Sequence, residues 1–302
     1  MPIATELKFE RNAKIPTWFG IGGGADRLVR PTSTDDLRRC LELDPDLRVL
    51  GDGANLLVDD AGVRELVVAF TGPEMTSVRR DDRTGLTIAM AGASLPRLIT
   101  ESVRLGMGGL EGLGGIPATV GGAVIMNAGG KFGQISDAVR RVHALDRSGR
   151  DVTLEREQIE FGYRHSGLNR LIVTSVELDL RPGDAAALRA RLLEVMAYKK
   201  ESQPMADKSA GCVFKNPTLD RDIDGIGRRG DRVGAGMLLD RAGCKGMSVG
   251  GATISPRHAN FFVTGPGARA ADVITLMELG ADRVLERFGL RLQPEVVVWR
   301  RG

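Results

Sequence analysis

Three short stretches carry side chains able to hold charge or move a proton: FGYRHSGL at 161–168, SAGCVFKNP at 209–217 and LQPEVVVW at 292–299. By residue type alone, Cys212 is a small buried hydrophobe, a metal ligand or a proton donor. No second ligand stands at a usable spacing, which removes the metal. Arg164 is a surface ion-pair partner or an anion fork, because a guanidinium grips two oxygens and keeps its charge. Glu295 is a polarising carboxylate or a strand-end residue facing water. Lys215 could meet a phosphate and Asn216 a substrate hydrogen bond, or either caps the turn before Pro217.

Glycine-rich segments supply a second kind of chemistry. In GLEGLGGIPATVGGAVIMNAG, 109–129, Gly114, Gly115, Ile116, Pro117, Thr119, Gly121 and Gly122 can wrap backbone amides round a diphosphate without a helix dipole. Asn127 adds a donor and an acceptor, and Gly129 closes the run. VLGDGANLLV, 49–58, reads as strand, turn and strand, with Gly51 and Gly53 either near phosphate or simply in tight turns. PTWFGIGGGADRLVRP, 16–31, formally contains G-x-G-x-x-A, yet no helix follows it, so a Rossmann dinucleotide site is not expected.

The elements that must position these residues follow from periodicity and punctuation. Ser33 or Thr34 caps a helix over STDDLRRCLEL, and RVL and ELVVAF read as short buried strands. LTIAMA is a strand, and SLPRLITESVRLG a helix capped by Ser94 and ended by Gly106. VRRVHALD and LIVTSVELDL are strands; RPGD at 181–184 then makes a joint before the helical DAAALRARLLEVMAYKK. Beyond it come a short helix near AGMLLDRAG, strands near GATIS and NFFVT, a helix from about Ala268 to Phe288 stopped by Gly289, and a closing strand at EVVVW. The charged segment 218–234 reads as a solvated loop.

Composition narrows the function. The chain has 302 residues, with 42 basic against 39 acidic and a formal charge of +3, and no one-sign stripe. Small-molecule partners are expected, not nucleic acid. Cys40, Cys212 and Cys244 form no CxxC pair, which disfavours disulfides and zinc and favours a reducing, cytoplasmic home. Charges in MPIATELKFERNAK argue against a secretion signal, and glycines with Pro117 break the longest uncharged run, so no membrane span is expected. Cys40, Cys244, Met90, Met107 and Met126 read as packing residues.

Several ordered motifs resemble one family. PTWFGIGGGADRLVRP, LGDGANLLV and the 109–129 stretch resemble the FAD-binding half of the UDP-N-acetylenolpyruvoylglucosamine reductases, the MurB family, within the vanillyl-alcohol-oxidase-like flavin superfamily. FGYRHSGL is similar to the family's Tyr-Arg-x-Ser, SAGCVFKNP to Gly-Ser-x-Phe-Lys-Asn-Pro and LQPEVVVW to Leu-x-Pro-Glu-Val; AGMLLDRAGCKGMSVGGATIS and HANFFV match its third-domain pattern. The direct joint after Leu180 resembles the shorter subtype, which lacks an inserted tyrosine-bearing fold. The resemblance implies an α+β fold. A two-subdomain FAD-binding unit of the vanillyl-alcohol-oxidase/PCMH type, 1–72 and 73–182, would precede a C-terminal α/β substrate-binding domain, 183–302, whose last strand returns to the active site.

The resemblance also implies the chemistry. NADPH reduces FAD, flavin N5 passes hydride to C3 of UDP-N-acetylglucosamine enolpyruvate, and protonation at C2 gives UDP-N-acetylmuramate for peptidoglycan precursor synthesis. Gly51, Gly53, Asn55, Leu56 and the 114–129 residues named above would hold FAD. Arg164 would bind the substrate carboxylate, with Glu295 helping to polarise it; Tyr163, Lys215, Asn216 and His258 would face the substrate. Where the family usually has a serine proton donor, this chain has Cys212; an ordinary thiol, pKa about 8.5, is mostly protonated at pH 7 and can donate. Ala54 replaces an expected serine, removing one possible bond to FAD. Two rival readings stand: a flavin- or UDP-sugar-binding protein without turnover, and an oxidase of the same superfamily. Keeping Arg164 and Glu295 together argues against both.

Overall fold

The computed structural model describes residues 7–81 and 83–302; the opening of the N-terminal stretch read above as no secretion signal lies outside the described residues. Strands β1 (Phe9–Lys14) and β2 (Gly24–Val29) come first. Ser33 caps α1 (Thr34–Leu43), its hydroxyl accepting from the Asp36 amide at 3.1 Å, while Asp35 and Asp36 suit the positive end of the helix. Short strands follow: β3 (Arg48–Leu50), β4 (Leu56–Val58) and β5 (Val67–Ala69). Helix α2 (Pro73–Thr76) leads to β6 (Val78–Arg80) and β7 (Thr87–Met90). Helix α3 (Leu95–Arg104) has the expected ends, with Ser94 as cap and Gly106 at φ +68°.

After β8 (Met107–Gly108) the glycine-rich stretch departs from expectation: Val120–Ile125 forms helix α4, capped by Thr119. Strands β9 (Gly129–Gly130) and β10 (Gly133–Gln134) make a hairpin before β11 (Val139–Leu145), β12 (Asp151–Glu155) and β13 (Ile172–Leu178). Strand β14 (Arg181–Pro182) pairs with β8 and leads into α5 (Ala185–Ser202). The remainder holds α6 (Ala235–Arg241), strands β15 (Ser248–Val249), β16 (Ala252–Ile254) and β17 (Phe262–Thr264), helix α7 (Ala270–Phe288) and β18 (Val297–Trp299). Gly289 ends α7 in the left-handed conformation, φ +65°. No helix among the described residues is long and apolar enough to cross a membrane.

Packing divides the chain into two compact units. The first holds the described residues up to Ala13, with Ala25–Asp52 and Arg64–Lys199. Its sheets run β1-β2-β5-β3, where β2 and β3 lie parallel to β5, and β12-β11-β13-β7-β6, antiparallel throughout. Leu37, Val68, Ile99, Val124, Val142 and Val176 share one buried core. Most of α5 packs here: Leu192 approaches Gly114 and Leu188 approaches Gly108 so closely that a Cβ on either glycine would clash.

The second unit is discontinuous, comprising Lys14–Gly24, Gly53–Val63 and Lys200–Gly302. Its antiparallel sheet is β15-β16-β17, and β18 lies parallel to β4 with Val297 opposite Leu56. Phe19, Leu57, Phe214, Leu239, Phe262 and Val284 form its core, where Phe214 and Phe262 meet edge to face at 6.1 Å.

Candidate active site

In the first unit the expected cofactor residues fall on two turns pressed together. Gly51 follows β3, and a Cβ there would stand 2.9 Å from Thr119 Oγ1. Thr119 in turn accepts from the Gly122 amide at 3.2 Å, which starts α4. The stretch was expected to wrap its amides without a helix, and here the structure corrects it: Gly121 and Gly122 lie in the first turn of α4. The Gly121 amide donates to Ala91 O at 2.9 Å, and a Cβ at Gly121 would meet Ala91 Cβ at 2.8 Å. The amides of Gly114 and Ile116 donate to Glu111 O and Leu113 O. Four of the proposed amide donors thus already serve the protein, and Pro117 has none to give.

Asn127 and Arg164 are joined by the local architecture. Asn127 is 1% exposed and left-handed, φ +42°, a region asparagine tolerates better than most residues. Its Nδ2 donates to Gln134 Oε1 at 3.1 Å and Gly162 O at 2.9 Å, and its Oδ1 accepts from Ser136 N at 3.3 Å. The side chain expected to face a cofactor is therefore spent inside, bracing β10 and the segment before Tyr163. Gly162 and His165 exchange backbone bonds of 2.9 and 3.2 Å, closing a turn with Tyr163 and Arg164 at its centre. Arg164 has φ +54°, a conformation that costs a non-glycine residue of order 1–3 kcal/mol and recurs at functional sites. Buried Ser166 anchors the turn by donating to Ile125 O at 2.7 Å, and the Arg164 guanidinium lies 5.2 Å from the Tyr163 ring centre.

Lys199, near the end of α5, was not foreseen. Its stem crosses Gly115, φ +72°, where a Cβ would stand 3.2 Å from Lys199 Cδ. Burial, helped by the Arg164 charge, lowers its ammonium pKa to about 8. In sequence it is one lysine of a pair in a polar helix face.

In the second unit SAGCVFKNP is an extended segment pinned on both sides. Cys212 bridges to Phe261, and Val213 N donates to Asn260 O at 2.8 Å. Buried Asn260 clamps Phe214: its Oδ1 accepts from Phe214 N at 2.9 Å, and its Nδ2 donates to Phe214 O at 2.8 Å. On the other side Glu295 N donates to Val213 O at 2.7 Å, Lys215 N donates to Gln293 O at 2.9 Å, and Phe214 bridges to Pro294. Cys212 and Glu295 are thereby brought onto neighbouring segments. Asn55 Nδ2 donates to Glu295 O at 3.0 Å, Leu56 is a buried core residue starting β4, and Gly53, φ +66°, leaves Pro16 O only 2.2 Å from where a Cβ would lie.

A cavity of about 340 Å³ opens on this segment, lined by Cys212, Asn216, Lys245, Arg257 and His258 among others. Asn216 Oδ1 accepts from Ala235 N at 2.9 Å, capping α6 from the cavity wall. Burial, with the nearby Lys245 charge, lowers the His258 pKa, and its Nδ1 accepts from Asn260 N at 3.2 Å. Lys245 and Asp240 form an ion pair of 2.6 Å at the same cavity. The segment 218–234 is not a loose loop. Thr218 bridges to Arg232 and Ile223 to Gly227, Leu219 is 2% exposed in the core, and Arg221 donates to Phe288 O at 3.0 Å, holding the end of α7.

Comparison with known proteins finds two family matches along the chain. Residues 25–155 match an FAD binding domain family, and residues 203–299 match the UDP-N-acetylenolpyruvoylglucosamine reductase, C-terminal domain family. The chain is 42% identical over 298 residues to the UDP-N-acetylenolpyruvoylglucosamine reductase of Heliobacterium modesticaldum, covering 97% of this chain and 90% of that protein. It is 40% identical over 291 residues to that of Moorella thermoacetica, covering 95% and 91%. The crystal structure of the Thermus caldophilus reductase superposes with a TM-score of 0.82 at 41% identity, covering 97% of this chain and all of that one. With an FAD-binding domain, a matching C-terminal domain and likeness over nearly its whole length, the chain belongs to the UDP-N-acetylenolpyruvoylglucosamine reductase (MurB) family.

Proposed function

We propose that this protein is the NADPH-dependent flavoenzyme that reduces UDP-N-acetylglucosamine enolpyruvate to UDP-N-acetylmuramate, a cytoplasmic step of peptidoglycan precursor synthesis. The observation that carries the reading beyond family membership is the pinned SAGCVFKNP segment. It sets Cys212 at a cavity beside Asn216 and His258, with Glu295 on the adjacent segment. We assign residues 1–72 and 73–182 to FAD and 183–302 to substrate.

The residues fit a flavin nucleotide. Gly51 and Gly53 let the chain close on Thr119 and on Pro16 O, where a Cβ would clash, and the turn they share offers backbone with little side chain. Gly51, Gly53, Asn55, Leu56 and the 114–129 segment are assigned to the cofactor, with the amides of Gly114, Ile116, Gly121 and Gly122 and the Asn127 side chain shaping the turns rather than donating to it. Bound there and reduced by NADPH, FAD would supply hydride for C3 of the enolpyruvyl group. The chain's own residues handle charge and proton. Arg164 grips the substrate carboxylate with a forked, permanently charged head, fixed by its strained turn. Glu295 polarises the substrate. Cys212 delivers the Sγ proton to C2, the carbon left carrying negative charge. Tyr163, Lys215, Asn216 and His258 hold the rest of the UDP-sugar.

The test is anaerobic reduction of the purified flavoprotein by NADPH, followed by the enolpyruvyl substrate while flavin absorbance is recorded. Prompt reoxidation with muramate product is expected. Flavin that stays reduced until air enters would instead identify an oxidase, and flavin never reduced a binding protein.

A further inference from the structure

His258 is held on three sides of its ring. Its Nδ1 accepts from the Asn260 amide at 3.2 Å, and its ring meets that of Phe261 edge to face with centroids 4.8 Å apart. Beside Cε1 stands Gly236 of α6, where a Cβ would lie only 2.9 Å away. Both His258 and Gly236 line the cavity of about 340 Å³. Among the described residues, no atom accepts a hydrogen bond from His258 Nε2.

The Asn260 bond decides where the proton sits. A backbone N–H only donates, so Nδ1 presents a lone pair, the ring is neutral and its one proton is on Nε2. A second proton would have to enter at Nδ1 and displace that amide. Burial, with the Lys245 charge, also disfavours the charged ring, against the pull of its own carbonyl. The cations of this wall are committed. Lys245 pairs with Asp240 at 2.6 Å, and the Arg257 guanidinium donates to Lys200 O and Glu201 O, each at 2.6 Å. A neutral donor with no spare cation beside it suits an uncharged acceptor better than a phosphate.

We propose that His258 donates from Nε2 to a carbonyl oxygen of the ligand in this cavity, and that Gly236 is the positioning residue that leaves room for the ring. A carbonyl accepts and cannot donate, which matches a nitrogen that donates and cannot accept. Uracil and the N-acetyl group each supply one. That choice of ligand rests on the reductase reading, while the tautomer and the part played by Gly236 do not.

Long-range proton–nitrogen spectra of the FAD-loaded protein, with nitrogen-15 in its three histidines, read the protonation of each ring nitrogen. His258→Gln assigns the signals by their loss. At pH 7 His258 should carry a proton on Nε2 and none on Nδ1. UDP-N-acetylglucosamine enolpyruvate should move the Nε2 proton downfield and add none to Nδ1. A proton on Nδ1, free or bound, or an unmoved Nε2 proton overturns the proposal. Smaller ligands separate the sources: a shift from UDP as large as the substrate's assigns uracil, and one from UDP-N-acetylglucosamine but not from UDP assigns the N-acetyl carbonyl. An equal shift from pyrophosphate, or one that only the enolpyruvyl compound produces, overturns the carbonyl.

Gly236→Ala puts a better helix former into α6, so folding should not suffer. Its affinity for the enolpyruvyl compound should fall roughly 2- to 12-fold, the loss of about one neutral hydrogen bond, and the Nε2 shift should vanish. Unchanged affinity, or a shift left intact, overturns the role of Gly236. If that compound does not bind the parent protein, the reductase reading fails, and uridine and N-acetylglucosamine carry the same titration. A Nε2 shift from either then supports the carbonyl, and none from both overturns it.

Discussion

Replacing Asn127 with alanine tests whether the reactive turn is held from within. The substitution deletes two bonds donated by Nδ2 and one accepted by Oδ1, and leaves the Ser136 amide without the acceptor it uses. At about 1 kcal/mol net per bond, the loss is about 3 kcal/mol, with the stranded amide as its largest share. Alanine at φ +42° adds about 1 kcal/mol of left-handed strain, so Asn127→Ala should be destabilised by about 4 kcal/mol. Asn127→Gly loses the same bonds but tolerates that backbone, and should recover about 1 kcal/mol. Thermal unfolding of the FAD-loaded protein should show a Tm lowered by roughly 6 °C for alanine, the glycine variant melting about 1–2 °C higher. Because Asn127 holds Gly162 O, kcat/KM at a temperature where the variants remain folded should fall at least about tenfold, with Arg164 no longer fixed. An alanine variant within about 1 kcal/mol of the parent, or full turnover in a variant confirmed to be destabilised, would refute the bracing role.

Cys212→Ala should retain flavin and its reduction by NADPH while product formation falls by about 10²-fold or more; Cys212→Ser should stay active. Rapid-reaction absorbance with product analysis decides, and equal turnover by the alanine variant would remove the proton-donor role. Gly53→Ala forces a Cβ to 2.2 Å from Pro16 O at φ +66°, so the purified variant should carry much less FAD, read from its absorbance ratio. Asn260→Ala frees Phe214 from both its clamping bonds and should cost about 2–4 kcal/mol in denaturant unfolding while slowing product formation more than flavin reduction.

Helix ends were the most legible part of this sequence. Ser33, Ser94, Gly106 and Gly289 declare themselves because capping depends on one residue and its immediate neighbours. Helix α4 was hidden because VGGAVI places two glycines against helix propensity; burial of Val120, Ala123 and Val124 and the Thr119 cap override it. Strand β2 was masked by flanking glycines and Pro31, and β12 by its charges, since an edge strand need bury little. Resemblance of the motifs led to Arg164, Cys212 and Glu295, but the left-handed backbone at Arg164 belongs to a turn that Asn127 and Ser166 hold from a distance in sequence, and the depressed ammonium of Lys199 arises only from tertiary contacts. Segment 218–234 misled for a related reason: its charges are plain in sequence, whereas Leu219 reaching the core is not.

The parallel pairing of β18 with β4 sets an order of events at the ribosome. Residues 14–24 and 53–63 emerge early, yet their partners in the second unit lie between 200 and 302. At about 5–20 residues per second, residues 200–299 take roughly 5–20 s to synthesise. During that interval Phe19 and Leu57, both fully buried at the end, have no finished core to enter, and β4 has an open edge. The nascent chain is thus a natural client for holding chaperones. Slow codons or a stall after residue 199 should reduce the yield of native protein by aggregation without altering its stability once made.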